Sequence, residues 1–310
     1  MLTIYFKSQL EHDLAVINEA RNGSWLNVDN ATEVDLQEVA RLTGLQPIDL
    51  DDILDPHELP RLERVGNNTI IFVRTPQENS SLKGGEKYLY TDPLAIIIND
   101  EYFITLAMSQ NISLSRLIEN QSDIITTQSG KLLVYILLAI SDEFVSEIRN
   151  VRKDVLAKQR RLKKVTDQTI LDLVEDEEVL NQYLSALVPM NNVLEQMISG
   201  RRQFLFADDK ELLEDMINST RQSIDLCRVN IKSIQSLRDS YQIIFSNRLN
   251  NTIKTLTIFT ILMTIPMVIS SIFGMNVPLP YSNNVYSFVV ILIAAVIGMS
   301  AFILYYRKKF

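Results

Sequence analysis

Apolar residues along this chain follow two rhythms, and the change between them comes near residue 129. Up to about residue 125, short apolar stretches of strand length alternate with stretches at helical spacing. Strands are predicted at Leu2–Phe6, Trp25–Val28, Arg61–Val65, Thr69–Arg74, Tyr88–Ile98 and Tyr102–Met108. The pair Asn67-Asn68 after Gly66 marks one hairpin turn, and Asn99-Asp100 marks another. Helices are predicted over Ala31–Leu42 and Pro47–Leu54. These elements describe an α/β region with a mixed or largely antiparallel sheet.

From about Ser129 the pattern is almost wholly helical. The apolar run Leu132–Ile140 is far short of the roughly 20 residues that a membrane span needs, so it reads as buried in a soluble core. A second helix runs to about Ile198 and ends at Gly200. The segment Asp208–Phe273 has no glycine, and its only proline is Pro266. As one helix it would be about 100 Å long at 1.5 Å per residue. Such a helix cannot fold inside one small globule, so it must form a stalk, a coiled coil or a helix that continues into a membrane.

Leu256–Phe273 and Val285–Tyr306 are uncharged and long enough to span a bilayer. The short linker between them makes the pair a helical hairpin. Arg248 and Lys254 precede the first span, Arg307, Lys308 and Lys309 follow the second, and the linker Met275–Asn284 has no charge. By the positive-inside rule both termini are expected in the cytoplasm, with the linker outside. The N-terminus, with Glu11 and Asp13 close behind, lacks the basic start and long apolar stretch of a secretory signal.

The first span is less apolar than an anchor requires. Thr257, Thr260, Thr264, Ser270 and Ser271 interrupt it, and Asn250, Thr257, Thr264 and Ser271 recur every seven residues, close to one helical face. Two readings stay open. The hydroxyls can bond their own helix backbone, or they can form a pore-facing stripe with the second span facing lipid.

Composition narrows the chemistry. With 38 Asp+Glu against 30 Lys+Arg in 310 residues, the chain lacks the basic excess of a nucleic-acid binder. Its acidic surface raises the local concentration of cations. One cysteine, Cys227, and two distant histidines, His12 and His57, cannot supply a structural zinc site within one chain. Cation chemistry here should use oxygen ligands, and no covalent cofactor is expected.

Phe273-Gly274-Met275-Asn276 stands at the outer end of the first span, between the last two apolar segments, and a basic tail follows the second. With that placement the sequence resembles the CorA family of magnesium channels, which includes the ZntB zinc transporters. Tyr241, Ser246-Asn247, Asn250 and Leu256-Thr257-Ile258 fit the family's stalk-to-membrane sequence at matching distances from the triplet. Asp55-Pro56-His57-Glu58 with Pro60-Arg61-Leu62-Glu63 resembles the Asp-Pro segment of its soluble domain, and Pro189 with Met190–Met197 fits its second long helix.

The resemblance implies an α+β cytoplasmic domain with long helices, continuing through a stalk helix into a two-helix transmembrane hairpin. Residues 1–128 would be the α/β region, 129–207 a long-helix hairpin, 208–255 the stalk, 256–306 the pore domain and 307–310 a basic cytoplasmic tail. It implies a homo-oligomer, a pentamer, in a cell membrane, conducting Mg²⁺ through a filter at Gly274, Met275 and Asn276. Asn250 would sit near the cytoplasmic mouth, Leu256 would form an apolar gate ring, and Thr257, Thr260, Thr264 and Ser271 would line the pore. Asp215 and Asp239 would bind regulatory Mg²⁺, with the partner of Asp215 near Gln77 and Glu78. Three features differ from the family pattern: Thr264 replaces an apolar constriction, Pro266 stands one residue late, and Val277-Pro278-Leu279-Pro280 brings no acid to the outer mouth.

Other classes remain as alternatives. A membrane-anchored enzyme would use Asp49, Asp51, Asp52 and Asp55, but Leu50, Ile53 and Leu54 interleave as in a helix with a wet face. No glycine-rich phosphate loop or nucleophile constellation accompanies them. A non-conducting scaffold of the same fold and a zinc or cobalt carrier of the ZntB type complete the set.

Overall fold

Strands with apolar residues at consecutive positions are those that must be covered on both faces, and here the central strands are. The computed structural model describes residues 2–11, 13–79, 88–119, 124–160, 166–199, 207–275 and 286–309. It divides into two compact units, Met1–Arg238 and Asp239–Phe310.

In the first unit the strands are β1 (Leu2–Phe6), β2 (Ala15–Ile17), β3 (Ser24–Val28), β4 (Arg61–Val65), β5 (Asn68–Asn79), β6 (Tyr88–Ile98) and β7 (Tyr102–Ala107). Among the described residues they form one sheet in the order β2-β1-β3-β7-β6-β5-β4. Neighbours are antiparallel except β3 and β7, which run parallel. The sheet is therefore mixed, as the sequence indicates.

One face carries Leu26, Val28, Ile70, Phe72, Ala95, Ile97, Ile104 and Leu106, packed against Leu36, Val39 and Ala40 of α1 (Glu33–Thr43) and against Leu50 and Ile53. Alternation along each strand sends Trp25, Ile71, Val73, Leu94, Ile96 and Phe103 to the other face, also fully buried. Against β5 on that side lie α3 (Ser129–Arg160) and α4 (Asp167–Ser199). The apolar run of α3 is buried as expected, with Leu132, Leu133, Ile136, Leu137 and Ile140 all inaccessible to solvent.

The local chemistry explains the boundaries. Thr32 and Asp35 form a reciprocal cap at the start of α1, and Gly44 ends it with a left-handed φ of 69°. The β4–β5 turn centres on Gly66 and Asn67, one residue earlier than expected. Gly66 alone takes a positive φ, as at the first central position of a II′ hairpin. At the β6–β7 turn the side-chain oxygen of Asn99 accepts from the N–H groups of Glu101 and Tyr102.

The expected helix at Pro47–Leu54 is instead two 3₁₀ turns, Pro47–Asp49 and Asp51–Leu54. Aspartates that compete for nearby N–H groups favour such turns over continuous helix. Asp49 accepts from Gln46 N–H and Asp55 from His57 N–H. With Asp52 paired to Arg61 at 2.6 Å, this acidic cluster has structural duties rather than the geometry of a catalytic centre. Strand β2 and helix α2 (Ile112–Glu119) are additional to the sequence reading.

Helices α3 and α4 run antiparallel, joined by a Lys158–Asp176 pair at 2.6 Å and an edge-on Phe144–Tyr183 contact at 5.3 Å. Along α5 (Ala207–Phe273), Leu213, Met216, Thr220, Cys227, Ile234 and Leu237 are buried at three-, four- and seven-residue steps. Arg221 pairs with Glu195, and Arg238 with Glu177, to hold this part of α5 along α4. Burial pushes the Cys227 thiol up to about 12, so it packs as a small apolar group with no reactive thiolate at neutral pH.

Burial also holds the Glu147 carboxyl above its ordinary range; Glu143 and Glu78 add to the rise, while Asn150 and Arg116 oppose it. A carboxyl raised in the folded state favours folding most below its unfolded value, and that contribution is lost as pH rises through the folded value. Glu147→Gln is therefore expected to flatten the fall in stability as pH rises above the ordinary glutamate value of about 4.3. Thermal melts over that rise in pH check it, and a profile parallel to the parent's would contradict it.

Candidate functional site: a hydroxyl-lined helical face

The second unit contains α5 from Asp239 onward and α6 (Ser287–Lys309). Both are long and apolar enough to cross a membrane, with mean hydropathy 1.9 and 2.7 in their most apolar stretches. Gly298 of α6 lies against Ile265 of α5; a Cβ at Gly298 would stand 3.1 Å from the Ile265 side chain. The less exposed residues of α5 here are Ile258, Leu262, Ile265, Pro266 and Ile269, and those of α6 are Ile291, Ala295, Gly298, Met299, Phe302 and Tyr306. Both sets step by three and four, so each helix gives one face to the other. Small residues at such a crossing let the backbones approach.

That pairing fixes what the rest of α5 can do. At 3.6 residues per turn, Thr264 lies roughly 140° around the helix from the centre of the face packed on α6. Thr257 and Ser271 fall almost directly above and below it, Asn250 and Thr260 stand within about half a right angle, and Leu256 lies on the shoulder. All six are exposed. Thus the seven-residue stripe occupies the side of α5 opposite its partner helix.

The hydroxyls also bond their own backbone. Thr257 donates to the Ile253 carbonyl at 2.8 Å, Thr260 to Leu256 at 2.9 Å and Thr264 to Thr260 at 2.8 Å. The two sequence readings of these residues are therefore compatible. A hydroxyl whose hydrogen is committed inward keeps its two lone pairs to offer as acceptors. The face presents acceptors, which suit the outward-pointing hydrogens of a water-coated cation. α5 stays helical across Pro266.

At the helix end, Gly274 N–H donates to the Ser270 and Ser271 carbonyls at 3.0 and 3.2 Å, and Met275 N–H donates to Ile272 at 3.3 Å. Met275 is exposed. Asn276 and Val277–Pro280 lie outside the described residues. Asp215 and Asp239 are exposed on α5. Gln77 is buried with its amide on the Thr75 hydroxyl, whereas Glu78 is half-exposed. Among the described residues, no group of three or more His, Cys, Asp or Glu within one chain is placed to hold a metal ion.

The family model for the CorA-like Mg2+ transporter protein matches residues 21–309. The chain belongs to the CorA family. CorA proteins are divalent-cation transporters, not enzymes, which removes the anchored-enzyme alternative. The cobalt/magnesium transport protein CorA of Methanocaldococcus jannaschii is 23% identical over 292 residues, covering 92% of this chain and 90% of that protein. The complete structure of the CorA magnesium transporter from the same organism superposes with a TM-score of 0.83 at 20% identity, covering 100% of this chain and 98% of the other. The ZntB cytoplasmic domain from Vibrio parahaemolyticus gives a TM-score of 0.62 at 7% identity, covering 79% of this chain and 98% of that one. These likenesses establish the CorA fold for the whole chain: an α+β unit with long helices and two apolar C-terminal helices.

The contact between Gly298 and Ile265 is what sequence reasoning missed. Its signal was present as Ala295 and Gly298, small residues three apart on one face of an apolar run.

Proposed function

We propose that this CorA chain is one subunit of a homopentameric Mg²⁺ channel, with both termini in the cytoplasm. The observation that carries the reading is the polar stripe of α5, turned away from α6 and exposed on the single chain, in which the Thr257, Thr260 and Thr264 hydroxyls donate inward. One chain with two spans cannot enclose a path, so the stripe becomes a pore only in a symmetric ring. Mg²⁺ is small, oxygen-loving and slow to lose water. A path lined by Thr257, Thr260, Thr264 and Ser271 serves it as hydrated ion, hydrogen-bonding its waters instead of replacing them.

In this account the functional division of the chain is 1–128, 129–207, 208–255, 256–306 and 307–310. Gly274, Met275 and Asn276 form the outer filter, Leu256 the apolar gate and Asn250 the inner mouth. Asp215, facing Glu78 of a neighbouring subunit, and a ring of Asp239 supply carboxylate oxygens for regulatory Mg²⁺. Like charges so arranged repel until a cation neutralises them, so bound Mg²⁺ favours the closed ring and its loss opens it. The fold shared with ZntB keeps a zinc carrier as the second reading.

The test replaces the hydroxyls while keeping their shape. Thr257→Val with Thr264→Val removes two acceptors per subunit, each worth about 1 kcal/mol as a net hydrogen bond. Mg²⁺ uptake into proteoliposomes should fall about tenfold or more, with the oligomer's mass unchanged. Undiminished uptake would remove the stripe from the pathway.

A further inference from the structure

The charge of this protein is divided unevenly along its length. From Ser240 to the last residue there are five cationic side chains, Arg248, Lys254, Arg307, Lys308 and Lys309, and no Asp or Glu, in a chain whose net charge is −8. The fold gathers these cations at one end of the α5–α6 hairpin. Counting equally from the Ile265–Gly298 contact, Lys254 on α5 comes level with Lys309 on α6, about 16 Å along the axis. Arg307 and Lys308 stand beside them, and both are exposed, as is Lys254. Tyr305, 63% exposed, and Tyr306 adjoin the group. The opposite end carries aromatics too, Tyr286 and Phe288, but residues 274–287 include no charged side chain.

We infer that this end of the hairpin is a binding surface for anionic phospholipid headgroups. The inference rests on α5 and α6 spanning a bilayer, as proposed above. Tyrosines at the end of a span sit at the headgroup level, where lipid phosphates meet Lys254, Arg307 and Lys308. The apolar Ile303 and Leu304, both exposed, provide the acyl-chain contact just inside. Basic clusters at the cytoplasmic end of a span attract anionic lipid by about fivefold per Lys or Arg.

The experiment uses the full chain purified in detergent, with phosphatidylglycerol and phosphatidylcholine added in equal amounts, and reads retained lipid by native mass spectrometry. The expected result is phosphatidylglycerol retained over phosphatidylcholine by about fivefold or more. The preference should disappear in a variant carrying Lys254→Gln, Arg307→Gln, Lys308→Gln and Lys309→Gln. It should persist in a matched variant of the soluble unit with Arg152→Gln, Lys153→Gln, Lys210→Gln and Lys232→Gln.

No lipid preference in the parent overturns the inference. So does a basic-end variant that keeps the preference, or one whose oligomer falls apart while the parent shows none, since an acidic protein surface would then be the partner. Failure of the parent to float with phosphatidylcholine vesicles would overturn the membrane reading itself and the inference with it, and is told apart by that assay.

Discussion

Asn276→Ala is expected to lower Mg²⁺ uptake by proteoliposomes about 100-fold or more, without changing the size of the oligomer. In a pentamer the substitution removes five side-chain carbonyl oxygens at once. Each is worth about 1 kcal/mol as a net hydrogen bond, so the ring contributes several kcal/mol to holding an incoming hydrated ion. No charge at the outer mouth compensates, because residues 277–284 bring none. Asn276→Asp should behave differently, since a carboxylate keeps the acceptors and adds charge. Half-maximal uptake should then occur at lower Mg²⁺, with a reduced maximal rate as release slows. An Asn276→Ala protein that transports within about threefold of the parent would move the filter elsewhere.

Arg74→Met should destabilise the soluble unit by about 3 kcal/mol, an effect of comparable size on a different property. Arg74 is nearly buried, and its guanidinium is spent on neutral acceptors. Nε donates to the Thr91 hydroxyl at 2.9 Å, and Nη1 to the Pro56 and Glu58 carbonyls at 2.8 Å each. Nη2 donates to the Thr91 carbonyl. Burial pulls its pKa below the ordinary arginine value, and Asp92 and Asp55 partly restore it.

Methionine fills much of the volume but leaves two loop carbonyls and a strand carbonyl without a donor. The segment Asp55–Glu58 then loses its fastening to β5 and β6. Trp25, the chain's one tryptophan and fully buried, reports unfolding of this unit by fluorescence. A loss of that size lowers its melting temperature by roughly 6–12 °C at this size of unit. A shift under about 2 °C would mean that the loop is held by other contacts.

Much of the sheet was legible because its strands are apolar at successive positions and bracketed by Asn, Gly and Pro. The bounds of β1, β4 and β6 follow directly from that pattern. β2 was not legible: Ala15–Ile17 is three residues at an edge, with Val16 65% exposed, so no burial pattern marks it. α2 was missed although Asn111 announces it, its side-chain oxygen accepting from Leu114 N–H at 3.1 Å as an N-cap does.

The Pro47–Leu54 segment misled for a physical reason. Buried Leu50 and Ile53 are three apart, a spacing that α and 3₁₀ turns share, and only the aspartate hydrogen bonds separate the two.

For the site, the seven-residue recurrence of Asn250, Thr257, Thr264 and Ser271 could be read from the chain alone. Which side of α5 it occupies could not, because that depends on where α6 packs, and the packing turns on Gly298. The inward hydrogen bonds of the threonines were one of two open readings. They prove to be what orients acceptors outward.

Mg²⁺ conduction by an assembled ring is tested by ion uptake into vesicles containing the purified parent chain. Mg²⁺ and Zn²⁺ would be offered separately, with and without a pH gradient. Mg²⁺ should enter down its own gradient, indifferent to the pH difference. Zn²⁺ entry driven by the proton gradient, with no Mg²⁺ entry from an intact oligomer, would contradict it and make the protein a zinc carrier.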